Sequence, residues 1–226
     1  MRNIKGPIMS AVRLQLTLQL AISAILFFAT SLAVGHDAVS SSVGDVQAKV
    51  AYCQDCHGPS GQGYPGFSPI PRIGGQTTKY LKNQLQAFAE SRRDADASTA
   101  MSKIHGPDEP MRTALAAHFS KLDPEPIGDG SKDLVAAGKK IYAEGVPTAN
   151  VPACSACHGP EAKGKAEIPG LAGQLYPYTV EELQGWSEKR GNDLASGDMA
   201  AVMTPVAHAM SHAQIAAVAA YLSYVK

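Results

Sequence analysis

The 226-residue chain lacks any bias of charge: 20 Lys and Arg stand against 20 Asp and Glu. Nothing in that balance suits a nucleic acid, which calls for a basic surface. Acid is missing from the start of the chain, with no Asp or Glu before Asp37. Past the first 35 residues there is no apolar run long enough to resemble a membrane span. Strand signals are weak throughout, which leaves an all-α fold. Cysteine is scarce as well. Only four are present, and two short motifs use them all, so no thiol is left for another role.

The motifs are Cys53-Gln-Asp-Cys56-His57 and Cys154-Ser-Ala-Cys157-His158. Cys-x-x-Cys-His is the pattern of covalent haem attachment. Two thiols add to the two vinyl groups of one haem, and the adjacent His is held under the iron as an axial ligand. A redox dithiol or half of a zinc site would also use Cys-x-x-Cys. Neither needs His directly after the second Cys in both copies. Cys53 and Cys154 are also 101 residues apart, far beyond zinc-ribbon spacing. The expected cofactors are therefore two covalent haem c groups.

The first 35 residues read as an export signal rather than as part of the fold. Arg2, Lys5 and Arg13 make a basic start, an apolar stretch follows, and Ala33-Val34-Gly35 supplies the small residues for cleavage after Gly35. An uncleaved membrane anchor is the rival reading. Removing the signal leaves 17 basic against 20 acidic residues, a charge of about −3, and haem propionates make the surface more acidic. The rest suits two small domains, expected at 36–125 and 126–226, with the Pro-, Gly- and acid-rich stretch from Asp123 to Gly130 as linker. Domains of that size have thin cores, which a buried porphyrin would fill out.

The halves repeat one another. Pro71-Arg-Ile-Gly-Gly75-Gln76 matches Pro169-Gly-Leu-Ala-Gly173-Gln174. Counting from each Gln, Tyr80 and Tyr178 fall at +4, Leu85 and Leu183 at +9, Phe88 and Trp186 at +12, and Arg92 and Arg190 at +16. Helices are expected around Leu81, Leu85 and Phe88, and around Met111, Leu115, Phe119 and Leu122. Asp45–Tyr52 and Asp133–Glu144 should lead into the two motifs. Capping boxes are expected at Thr179-x-x-Glu182 and Ser211-x-x-Gln214. A final helix should bury Ile215, Val218, Ala219 and Leu222.

The sixth iron ligand decides the chemistry. A protein atom there closes the iron to small molecules and leaves electron transfer; Met raises the potential and a second His lowers it. In the second half the candidates are Met199, Met203, Met210, His208 and His212. Met203 is expected in a loop before the final helix, with Met199 as its rival. Met210 suits a core or staple role there, and the two His read as solvent-facing. In the first half the candidates are Met101, His105 and Met111. His57 to Met101 spans 44 residues and His158 to Met203 spans 45, which selects Met101. Met111 sits on an apolar helical stripe. Pro71 and Pro169 hold equal places, where a carbonyl could take the second ring N–H of the ligating His.

This set of motifs and offsets resembles the dihaem cytochrome c4 family of class I c-type cytochromes, over nearly all of residues 45–226. The resemblance implies two tandem class I cytochrome c domains, each wrapped around one His/Met haem, with the haem propionates close together. It implies Cys53, Cys56, His57 and Met101 for one haem, and Cys154, Cys157, His158 and Met203 for the other. It implies Pro71 and Pro169 as partners of the two His, and Tyr80, Tyr178, Arg92 and Arg190 on the propionate side. Gly138 fits the helix-crossing glycine of such domains, whereas Val46 stands near that place in the first half. Gly145–Val151 lengthens the approach to Cys154, as in cytochrome subunits that serve a dehydrogenase.

The reading that results is a periplasmic electron carrier without catalytic residues. It would work between respiratory donors and a terminal oxidase, or as the haem subunit of a dehydrogenase. Its partners would be redox proteins, and any membrane association would come through a partner or an uncleaved N-terminus. The alternative is a dihaem peroxidase with one open iron. Matched Met residues in both halves argue against it.

Overall fold

A computed structural model describes residues 34–90, 92–93, 101, 107–190 and 200–226. The expected leader therefore lies outside the described residues except for Val34 and Gly35, which open the first helix. The chain divides into two compact units, Met1–Gln47 and Ala48–Lys226. Both motifs belong to the second. Among the described residues there are helices and isolated β-bridges but no named strand. None of these helices is long and apolar enough to cross a membrane.

In the first copy, α1 (Val34–His57) ends on the axial-type His of its motif. Helix α2 (Thr78–Ala89) starts where the Thr77 hydroxyl accepts from the Tyr80 N–H at 3.2 Å. Helix α3 (Glu109–Phe119) is capped by Asp108, whose carboxylate accepts from the Met111 N–H at 3.0 Å, with Pro110 in its first turn. Helices α2 and α3 pack together and bury Leu81, Ala87, Leu115, Ala116 and Phe119. Met111 is only half-buried on α3.

The second copy runs α4 (Lys132–Glu144), α5 (Ser155–His158), α6 (Tyr176–Gln184), α7 (Trp186–Arg190), α8 (Ala200–Ala209) and α9 (His212–Leu222). Between α4 and the motif, Gly145–Val151 closes on itself. Val146 and Val151 bridge around a short 3₁₀ turn, and Val151 is buried. Helix α9 is the centre of the core, packing along α4 and α6. Its start is the expected capping box: the Ser211 hydroxyl accepts from Gln214 N–H, and the Gln214 amide oxygen accepts from Ser211 N–H. Met210, just before the cap, joins Ile215 in the buried cluster as a hydrophobic staple. Gly138 of α4 lies so close to α9 that a Cβ there would sit 1.9 Å from the Ala217 carbonyl oxygen.

The other expected capping box does not form. Helix α6 begins at Tyr176 with Leu175 as its cap residue, so Thr179 and Glu182 are already inside it. Thr179 donates its hydroxyl proton to the Leu175 carbonyl at 2.9 Å, and Glu182 is taken up by arginines. The cause is Pro177, whose fixed φ suits the first turn and moves the start upstream.

Candidate haem centre

Each motif is followed by a tight glycine turn that brings a proline back over its histidine. Gly63 N–H donates to the His57 carbonyl at 2.8 Å, and Gly164 N–H to the His158 carbonyl at 2.9 Å. Both glycines have positive φ, and a Cβ on either would run into the backbone of the returning loop. The loops then deliver the Pro71 carbonyl to His57 Nδ1 and the Pro169 carbonyl to His158 Nδ1, each at 2.9 Å. A carbonyl only accepts, so Nδ1 carries the proton in both rings and Nε2 keeps its lone pair. Both imidazoles are buried; burial holds them below the ordinary histidine range, and the proline carbonyls oppose that shift.

His57, His158, Cys53, Cys154, Met101 and Met203 all line one continuous cavity, and so does Cys157. Its walls include Leu81, Leu115 and Phe119 from the first copy, and Leu183, Trp186 and Val218 from the second. The four cysteines are unpaired; Cys53 and Cys154 are half-buried, and burial pushes both thiols up. Among the described residues no group of three or more His, Cys, Asp and Glu side chains could hold a bare metal ion. All four cysteines are described, so a four-thiolate zinc site has no place here. The donors along the apolar walls are instead Cys53, the His57 Nε2 and Met101 in the first copy, with Cys56 exposed beside them, and Cys154, Cys157, the His158 Nε2, Met203 and Met210 in the second, which contain the set a covalent haem needs.

The Met203 expectation needs one correction. Met203 lies inside helix α8, not in a loop, because the Ala-rich run from Ala200 carries helical structure through it. Met199 and His105 lie outside the described residues. His208 is exposed and shares a hydrogen bond of 2.6 Å with Ser187, and His212 is exposed in the first turn of α9.

Where the copies meet, a polar cluster closes the cavity. Arg93 donates to Tyr178 Oη at 2.7 Å and to Glu182 at 3.2 Å, and also to Gln84 at 2.7 Å. Arg190 mirrors it: it donates to Tyr80 Oη at 3.3 Å, to Gln84 at 2.8 Å and to Glu182. Each arginine thus reaches the tyrosine of the opposite copy, and each also lies over its own copy's aromatic, Phe88 or Trp186. The repeat placed Arg92 opposite Arg190, but Arg93 takes that position, while Arg92 pairs with Glu90. Helix α2 ends at Ala89, whereas the second copy breaks at Gly185 and restarts as α7, so the two chain paths differ by one residue. Burial alone would raise the Glu182 carboxyl, but Arg190 and Arg93 outweigh it and hold the group below the usual range. Burial pushes the Tyr178 phenol up to about 12.

A second cross-link was not legible in the sequence. The Gln76 side chain holds the main chain of Gly170, and Gln174 holds that of Arg72. The matched Gln positions were visible, but not that each would serve the other copy.

Comparison with known proteins gives a consistent picture. The family model described as Cytochrome c matches residues 45–129 and 135–226. A thiosulfate dehydrogenase electron acceptor of Thiomonas intermedia is 36% identical over 77% of this chain and 79% of its own length. A cytochrome c4 of Thiocapsa roseopersicina is 35% identical over 83% of this chain and 96% of its own. The solved structure of Acidithiobacillus ferrooxidans cytochrome c4 superposes with a TM-score of 0.66 at 30% identity, covering 76% of this chain and 98% of that one.

Proposed function

The chain belongs to the cytochrome c family and, within it, to the dihaem cytochrome c4 group, an electron-transfer cytochrome with two covalent haem c groups; from that premise we propose its ligands, its compartment and its place in electron flow. When bound, each haem supplies an iron that gains and loses one electron at a time. His57 with Met101 would hold one iron, and His158 with Met203 would hold the other. The observation that carries this reading is the shared cavity, where each histidine keeps Nε2 unprotonated and the described methionines that line it are Met101 in the first copy and Met203 and Met210 in the second, Met210 being taken up in the buried cluster around α9.

The protein residues do the rest. The Pro71 and Pro169 carbonyls fix the ring planes and raise the basicity of the ligating nitrogens. The apolar walls would limit water around a bound iron, which favours the uncharged thioether as a partner. Arg93, Arg190, Tyr80 and Tyr178 supply donors for carboxylates at the join of the copies.

The protein works in the periplasm, accepting electrons from a dehydrogenase and passing them towards a terminal oxidase. Support for the donor side comes from the Thiomonas relative, which is named as the electron acceptor of a thiosulfate dehydrogenase. The peroxidase alternative gains no support from the relatives. The test is carbon monoxide binding to the reduced holoprotein. The unaltered protein should bind none at either iron. Met101→Ala and Met203→Ala should each open one site and lower that haem's potential. If Met203→Ala leaves the spectrum unchanged and Met199→Ala opens the site, the ligand is Met199.

A further inference from the structure

Gln76 and Gln174 are both buried, at 8% exposure each. Neither faces a partner in its own copy alone. Gln174 Oε1 accepts the Arg72 N–H at 2.9 Å, and its Nε2 donates to the Arg72 carbonyl at 3.0 Å. Gln76 Oε1 accepts the Gly170 N–H at 2.6 Å, and its Nε2 donates to the Gly170 carbonyl at 2.9 Å. The Arg72 N–H and the Pro71 carbonyl belong to one peptide group. So do the Gly170 N–H and the Pro169 carbonyl. One end of each peptide therefore binds a histidine of its own copy, and the other end binds a glutamine of the opposite copy.

A peptide whose N–H is engaged is more polarised, and its carbonyl is a stronger acceptor. A stronger acceptor at Nδ1 makes the ring a more basic ligand. A more basic ligand favours the oxidised iron and lowers the potential.

We propose that Gln76 and Gln174 are crossed positioning residues: each sets the axial histidine, and through it the reduction potential, of the haem in the opposite copy. The chain Gln174–peptide 71/72–His57 and its mirror Gln76–peptide 169/170–His158 are the carriers. The inference rests on His57 and His158 being the axial ligands.

The experiment compares Gln174→Met and Gln76→Met in the full-length dihaem protein. Methionine keeps the length of the side chain and removes the two hydrogen bonds to the opposite copy, together with the one that Oε1 accepts from the next N–H of its own copy, Thr77 for Gln76 and Leu175 for Gln174. The readouts are the two midpoint potentials, resolved by haem, and the nuclear magnetic resonance signals of the two axial-histidine Nδ1 protons. Gln174→Met should raise the potential of the haem at Cys53–His57 and move the His57 signal, with a smaller effect at His158. Gln76→Met should do the reverse. Larger shifts at the haem of the same copy, equal shifts at both haems, or no shift at either would each overturn the proposal. Should a methionine variant fail to retain both haems, Gln174→Glu replaces it. A carboxylate still accepts from Arg72 N–H and polarises that peptide more strongly. The potential of the first haem should then fall, and by more than that of the second; any other ordering sinks the idea. The ligand assignment is checked first on the unaltered protein. If the His57 ring shows no iron-shifted signals, that assignment fails; if it does and the shifts do not cross, only the crossed role fails.

Discussion

The two copies share a motif, a returning proline loop and a clamp, yet they are not equally self-sufficient. The second has a buried cluster of its own, with Tyr142, Val151, Ala162, Met210, Ile215, Val218 and Leu222 gathered around α9. It also has the close α4–α9 seam at Gly138, and the Tyr142 hydroxyl donates to the Gly159 carbonyl just past the motif at 2.5 Å. Among its described residues the first copy buries Val50, Leu81, Ala87, Leu115, Ala116 and Phe119. Val46, its counterpart to Gly138, belongs to the unit that ends at Gln47. The difference teaches that a duplicated fold divides the work: one copy holds itself together, and the other draws more of its stability from cofactor and neighbour.

The strongest way to break this contrast is to remove one haem at a time. Replacing Cys53 and Cys56 by Ala should leave a one-haem protein whose second copy stays protected from hydrogen exchange. Replacing Cys154 and Cys157 should cost more, with protection lost in both copies. Equal losses would erase the distinction drawn here. A sharper test uses the charge asymmetry of the polar cluster, where Gln84 and Glu182 hold equal places at +8 from their glutamines. Glu182→Gln makes the copies alike at this position but leaves two buried guanidinium groups without their anion, at a cost of about 3 kcal/mol in chemical denaturation. The pH dependence follows with a definite sign. The native carboxyl titrates below the ordinary glutamate value, so its contribution is complete above that value and is lost as the pH falls through the depressed one. Stability of the native protein should therefore drop in acid more steeply than that of Glu182→Gln. The smallest effect concerns the seam. Gly138→Ala forces α4 away from the Ala217 carbonyl, and thermal unfolding should show a loss of about 2 kcal/mol assigned to the second copy.

Much of the site could be read from residues in fixed register. Cys-x-x-Cys-His named the cofactor, and their equal places in the repeat marked Pro71 and Pro169 as the residues whose carbonyls meet the two histidines. The Ser211 cap was legible because a capping box is local. What escaped was set by tertiary path. Thr179-x-x-Glu182 had the letters of a cap, but Pro177 had already started the helix. Arg92 matched Arg190 by count, but helix ends of different shape turned Arg93 inward instead. Met203-Thr-Pro suggested a loop before the final helix, yet Pro205 stands in the interior of α8, and the helix runs on through it without the hydrogen bond its nitrogen cannot give. The crossed glutamines have no local signature, since their partners are 94 and 102 residues away.

That sequence distance has a consequence for the making of the protein. A chain grows from its N-terminus, and domains fold as they emerge. The loop at Arg72 is synthesised about a hundred residues before Gln174, which secures it. Loop Gly170, in contrast, finds Gln76 already waiting. Both cross-links therefore wait for the second copy, and until it is made the Arg72 loop of the first lacks the glutamine that secures it.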